Sequence, residues 1–107
     1  MLIKCSNAEV WFEIDDEDYN LLEELNRTWR WKQCGPKTFY VACSMGKGKT
    51  LYLHQFLMRP PKGFDVHHKD ENTANNKRSN LVVEEALFHR ARHLAERRSF
   101  KKDKKLF

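Results

Sequence analysis

The sequence predicts an α+β domain: a small helix-plus-meander layer, then a strand–loop–strand–helix unit. Three observations carry that reading. Short runs with apolar–polar alternation, "AEVWFEID" among them, are broken by Gly-Pro and Gly-Lys-Gly turns, as in a meander. An acidic start followed by spaced leucines, "DDEDYNLLEEL", marks a helix. The second half sets two short apolar strands around a long polar run, "KDENTANNKRS". At 107 residues, 40% of them hydrophobic, the chain should form one domain with a modest core.

The elements follow in order. Residues 1–62 form the α+β layer. "AEVWFEID" is its first strand. The helix of "DDEDYNLLEEL" has an Asp available as its cap and acids in its first turn, where the helix dipole favours them. Tyr19, Leu21, Leu22 and Leu25 give that helix an apolar face. "TWRWKQCG" and "KTFYVACS" are strands around the Gly35-Pro36 turn, and "MGKGK" is a further turn. "TLYLHQFLM" begins as a strand and becomes a short helix that Pro60-Pro61 must end. Residues 63–98 form the second unit: strand "KGFDVHH", the polar loop, strand "NLVV", and helix "EEALFHRARHLAERR". That helix has acids at its start and bases at its end, both in accord with its dipole. Ala86, His89, Arg90 and His93 share one of its faces. Residues 99–107 are a basic tail.

Composition narrows the function. No apolar run approaches the ~20 residues that span a bilayer, and the N-terminus has acids where the apolar core of a secretory signal would continue. A cytoplasmic protein without a membrane partner is expected. Cys5, Cys34 and Cys43 are odd in number and lack CxxC spacing, which argues against a disulfide framework or a four-cysteine zinc site. "CSMGKGKT" ends like a phosphate-binding P-loop. However, Cys43 stands at the first glycine position, and "LYLHQF" reads as a strand where a helix should begin, so a hairpin turn is the better reading. The net charge of +5 is unevenly spread. Residues 1–26 carry one base and eight acids, residues 27–89 eleven bases and five acids, and residues 90–107 eight bases and two acids. Positive charge gathered toward one end suits a polyanion.

The stretch "VHHKDENTANNKRSNLVV" holds paired histidines and four asparagines within nine residues. A packed core does not ask for this. His68, then Asn80 twelve residues on, then His89 nine residues further on a helix, resembles the signature of the HNH endonucleases. "PPKGFDVHHKDENTANNKRSNLVV" is similar to the phage and intron-homing type. "IDDEDYNLLEEL" and "LYLHQFLMRPPKG" look like the segments preceding the motif in small phage HNH proteins. The resemblance spans most of residues 8–93 and implies a ββα-metal fold for residues 63–98.

Phosphodiester hydrolysis needs an activated water, charge on the phosphoryl oxygens and help for the leaving oxygen. A metal ion can supply the last two, and a neutral imidazole is a suitable base near neutral pH. Successive strand residues point to opposite sides, so His67 and His68 can divide the metal and water roles if the strand is irregular enough for both to reach the site.

The resemblance implies His68 as general base and Asn80 as the amide that pins the loop backbone and so orients the base. It implies His67 and His89 as metal ligands. His93, one turn beyond His89, is an alternative or additional ligand or a phosphate contact. Glu71 stands where a glycine is common, and position 67 is often Asp. Lys77, Arg78, Arg90, Arg92, Lys101 and Lys102 are candidate DNA contacts. His54 is expected to pack beneath the site. The cofactor implied is Mg²⁺ or Mn²⁺, with Zn²⁺ or Ni²⁺ also suited to imidazole ligands.

The expected partner is double-stranded DNA. One site per chain, with neither a heptad nor a long apolar edge strand, makes a monomer that nicks one strand the expectation. Alternatives are a catalytically inactive DNA-binding module and a small zinc-stabilised interaction domain. A phage-encoded enzyme would act in the host cytoplasm.

Overall fold

The computed structural model describes residues 1–86; residues 87–107, with His89, Arg90, Arg92, His93, Lys101 and Lys102, lie outside the described residues. The described chain is α+β, with small antiparallel sheets and short helices. No helix among the described residues is long and apolar enough to cross a membrane.

Strand β1 (Leu2–Lys4) pairs with β2 (Trp11–Glu13), the strand expected from "AEVWFEID". β1 was not expected: its three residues are too few to establish an alternating pattern. A 3₁₀ turn at Asp16–Asp18 leads into α1 (Tyr19–Leu25). Neither Asp15, at the start of the 3₁₀ turn, nor Asp18, at the start of α1, caps with its side chain. The Asp15 carboxylate accepts the backbone N–H of Arg78 at 2.9 Å instead, 63 residues along the chain.

The meander is β3 (Arg30–Gln33), β4 (Phe39–Gly46) and β5 (Lys49–Tyr52), paired in that order. The glycine-rich segment is the β4–β5 hairpin turn. Gly46, Lys47 and Gly48 all have positive φ there, which glycine adopts without cost. α2 (Leu53–Met58) follows β5 directly and ends at Arg59, before the two prolines. It packs against β4 and β5 on one side and the second hairpin on the other.

That hairpin is β6 (Phe64–His68) against β7 (Leu81–Glu85). Its register runs unbroken from Phe64↔Glu85 to His68↔Leu81. Glu84 and Glu85, expected to open the last helix, are therefore strand residues. Acids ahead of an apolar run suit a helix start, but pairing to Asp65 and Phe64 extends the strand through them.

The core gathers Cys5, Phe12, Ile14, Leu22, Trp29, Val41, Cys43, Leu53 and Leu57 from the N-terminal layer. All three cysteines are free, with Cys34 alone exposed.

Candidate active site

β6 delivers its two histidines to different surroundings. Val66 and His68 face inward and are buried, while His67 is half-buried on the opposite face with Asp65. The irregularity that would let both rings reach one site is absent within the strand, because both residues pair regularly with Val82 and Leu81. It begins at the strand's end. There the N–H of Glu71 bonds the carbonyl of His68 at 3.0 Å, and the chain turns. Glu71 holds φ at 61°, the left-handed region that favours glycine, so a glycine at this position would suit the turn.

His68 is 4% exposed, and its Nε2 lies 3.0 Å from Oδ1 of Asn76. The amide nitrogen of Asn76 donates to the carbonyl of Thr73 at 3.2 Å, which fixes the orientation of the amide. The oxygen facing the ring can only accept, so the ring carries its proton on Nε2 and leaves Nδ1 with a lone pair. Burial lowers the pKa of His68 below 6.5, and the neighbouring His67 adds to this; the bond to Asn76 and the charge of Asp70 act in the opposite direction. The imidazole is therefore neutral at pH 7.

The His54 ring sits edge-on to His68 at 5.0 Å between centroids and against Tyr40 at 4.9 Å. Burial, with help from the neighbouring His68, pushes the pKa of His54 down to about 4. On its other side His54 lines an open cleft of about 240 Å³ with Tyr40, Tyr52 and Asp65. This contact with His68 arises because α2 is wedged between the meander and the β6–β7 hairpin.

Asn80 is 8% exposed and holds the loop from its far end. Its amide oxygen accepts the N–H of Asp70 at 3.1 Å. Its amide nitrogen donates to Asp70 Oδ1 and to the carbonyl of Asn75, both at 2.9 Å. Its own carbonyl accepts the N–H of Lys69 at 2.8 Å, directly after His68. The other asparagines also have assigned work. Asn72 Oδ1 accepts the N–H of Ala74, and Asn75 donates to Asp70 Oδ2. The bonds that Asp70 accepts from the Asn75 side chain, the backbone N–H of Asn72 and the Asn80 side chain hold its carboxyl below its usual range, the one from Asn75 contributing most. The loop as a whole is docked on β2: Glu13 exchanges backbone bonds with Ala74 and Asn76, each at 2.7 Å.

Of the candidate DNA contacts, Arg78 and Lys77 lie within the described residues. The guanidinium of Arg78 grips the buried carboxylate of Asp18 through two nitrogens at 2.9 to 3.2 Å, while the side chain stays half-exposed. Lys77 makes only a loose 3.9 Å contact with Glu13 and remains half-exposed.

Among the described residues no group of three or more His, Cys, Asp or Glu side chains is placed to hold a metal ion. His67 is the one expected ligand within them. The sequence reading missed Asn76; four asparagines in nine residues marked the loop, but not which amide meets the histidine. No family model, curated protein or solved structure matches the chain.

Proposed function

We propose that the chain is a metal-dependent DNA endonuclease of the HNH type, with residues 63–98 as its ββα-metal motif. The observation that supports this best is the state of His68. It is a neutral imidazole with its proton held on Nε2 by Asn76, at the end of a strand whose following loop is pinned by Asn80. A general base needs an unprotonated nitrogen in a fixed orientation near the operating pH.

In this reading Nδ1 of His68 accepts the proton of the attacking water. Asn76 and Asn80 are positioning residues: one fixes the tautomer, the other the loop that the ring terminates. His89 would hold the ion, with His93 beside it as a further imidazole; His67, the other expected ligand, faces away from His68 along β6 and would meet the ion where the strand ends and the chain turns. When bound, the ion supplies positive charge to the phosphoryl oxygens and to the leaving 3′ oxygen. The products are a 5′-phosphate and a 3′-hydroxyl. One such site per chain acts on one strand at a time.

The test uses supercoiled plasmid with Mg²⁺, Mn²⁺, Zn²⁺ or Ni²⁺, each against EDTA. Open-circle product should form first, with linear DNA late. His68→Ala should lower the rate on the order of 10²- to 10⁴-fold and leave duplex binding nearly intact, since the base acts in the transition state. A variant keeping more than a tenth of the rate would remove His68 from the reaction.

A second reading is favoured by one fact, the 4% exposure of His68. A histidine so covered, bonded to Asn76 and packed on His54, also suits a DNA-binding module whose polar network is structural. That reading has no metal-dependent cleavage with any of the four ions.

A further inference from the structure

The meander has two unlike faces. Register places Trp31, Val41, Cys43 and Leu51 on the side that meets the core. The other side carries Arg30 and Lys32 from β3, Tyr40 and Ser44 from β4, and Thr50 and Tyr52 from β5. Arg30, Lys32, Ser44 and Thr50 line a shallow cleft of about 40 Å³. Lys47 and Lys49 extend the charge to the hairpin tip, both exposed.

Two features separate this face from an ordinary solvated one. β3, β4 and β5 contain no Asp or Glu, although the chain has 15 such residues. The face is also continuous with the candidate site. Tyr40 and Tyr52 contact His54, and Tyr40 and His54 both contact His68.

We infer that the open face of the β3–β4–β5 sheet binds the sugar-phosphate backbone of the DNA that is presented to His68. Arg30 and Lys32 are the phosphate contacts, Ser44 and Thr50 add hydroxyl donors, and the cleft of Tyr40 and Tyr52, whose lining also includes Asp65, joins this track to the reacting phosphate. Charge complementarity names the occupant: an acid-free cationic strip beside hydroxyls and aromatic rings fits a polyanion with stackable bases. The inference deepens the nuclease reading and rests on it for the direction in which the backbone runs. The binding face itself is tested without cleavage.

The experiment measures binding of a fluorescein-labelled duplex by the full chain in EDTA, over a range of salt. Arg30→Gln/Lys32→Gln is compared with Lys4→Gln/Arg27→Gln, which removes the same charge elsewhere. Circular dichroism checks that both variants fold. The first variant should weaken binding and flatten the slope of log K against log salt by up to about 1.8, or ~0.9 per lost phosphate contact. The second should leave the slope unchanged. Equal slopes in all three proteins, an equal loss in both variants, or no binding by the wild type each overturn the binding face. Plasmid cleavage is scored separately on the same samples. If the slope falls only in the first variant but no metal supports cleavage, the face stands and the nuclease reading fails. If cleavage is intact and the slope unmoved, the reverse holds.

Discussion

The layer built from β1 to α2 and the loop between β6 and β7 are ordered by opposite means. The layer closes around side chains with no polar atoms to satisfy, Phe12, Ile14, Val41 and Leu53 among them, each at most 1% exposed. The loop has little to bury. It is held by hydrogen bonds from Asn72, Asn75, Asn76 and Asn80, and by its docking onto Glu13 and Asp15. Apolar packing is cumulative and tolerant, so losing one contact spreads its cost over many neighbours. A hydrogen-bonded loop is directional, so losing one amide moves a particular atom. The candidate chemistry sits where direction matters, on a platform that only has to be stable.

The largest stability effect should therefore come from the layer. Phe12→Ala empties a fully buried site and should cost about 3–5 kcal/mol, measured by urea unfolding. Cleavage by whatever protein remains folded should be close to wild type per folded molecule. A folded Phe12→Ala protein with a much lower specific rate would break the comparison, because it would show the core setting the geometry of the site.

His54 lies on the border between the two regions, and acid tests it. Its pKa of about 4 is below the unfolded value of 6.5. The folded state therefore holds fewer protons than the unfolded state between those limits. Its contribution to stability is complete above pH 6.5 and is lost as pH falls toward 4, amounting to about 3 kcal/mol. His54→Phe keeps a ring against Tyr40 and cannot take up the proton. The difference in urea midpoint between pH 7.5 and pH 4 should be smaller in the variant than in the wild type. The same difference in both would mean that His54 is solvated in solution.

The two regions also differed in how far they could be read from sequence. The Gly35-Pro36 and Gly46–Gly48 turns, the strands between them and the stop at Pro60-Pro61 follow from local chemistry, and each is present. His68 and Asn80 stood out by type and spacing. What escaped depends on partners far along the chain. Asp15 looks like a helix cap because its neighbours are helical, yet its carboxylate is taken by the N–H of Arg78. Arg78 stood out by its place in the motif, but its ion pair with Asp18, 60 residues earlier, was not legible there. Asn76 was one asparagine among four until the turn at Asn72–Asn75 brought it back to the ring eight residues earlier.

Asn76 gives a sharper test of the loop. Asn76→Ala leaves the buried Nε2–H of His68 unpaired, at about 1–3 kcal/mol, and frees the ring to carry its proton on either nitrogen. The cleavage rate should fall on the order of ten- to hundredfold. The Asn76 bond raises the pKa of His68, so its loss should also move the acid limb of the rate profile to lower pH. Asn76→Asp places a negative charge there and should move that limb to higher pH. Limbs that stay fixed in both variants would show that His68 is not the group titrating in the rate.

The smallest expected effect is at Glu71, where backbone preference and hydrogen bonding can be separated. With φ at 61° this residue is in a conformation that disfavours any side chain with a Cβ. Relief of that conflict is worth roughly 1–2 kcal/mol, against roughly 0.4–1 kcal/mol of added freedom in the unfolded chain. Glu71→Gly should therefore stabilise the protein by about 0.5–1 kcal/mol, read as a shift in the urea midpoint. Glu71→Val, branched at Cβ, should shift it the other way. If the asparagine network alone determines the path of the loop, cleavage by Glu71→Gly should match wild type, because the bonds of Asn76 and Asn80 do not involve that side chain. A glycine variant that is more stable but markedly slower would mean that the strained turn helps hold His68 in place, and the contrast between packed layer and hydrogen-bonded loop would need a third element, the turn itself.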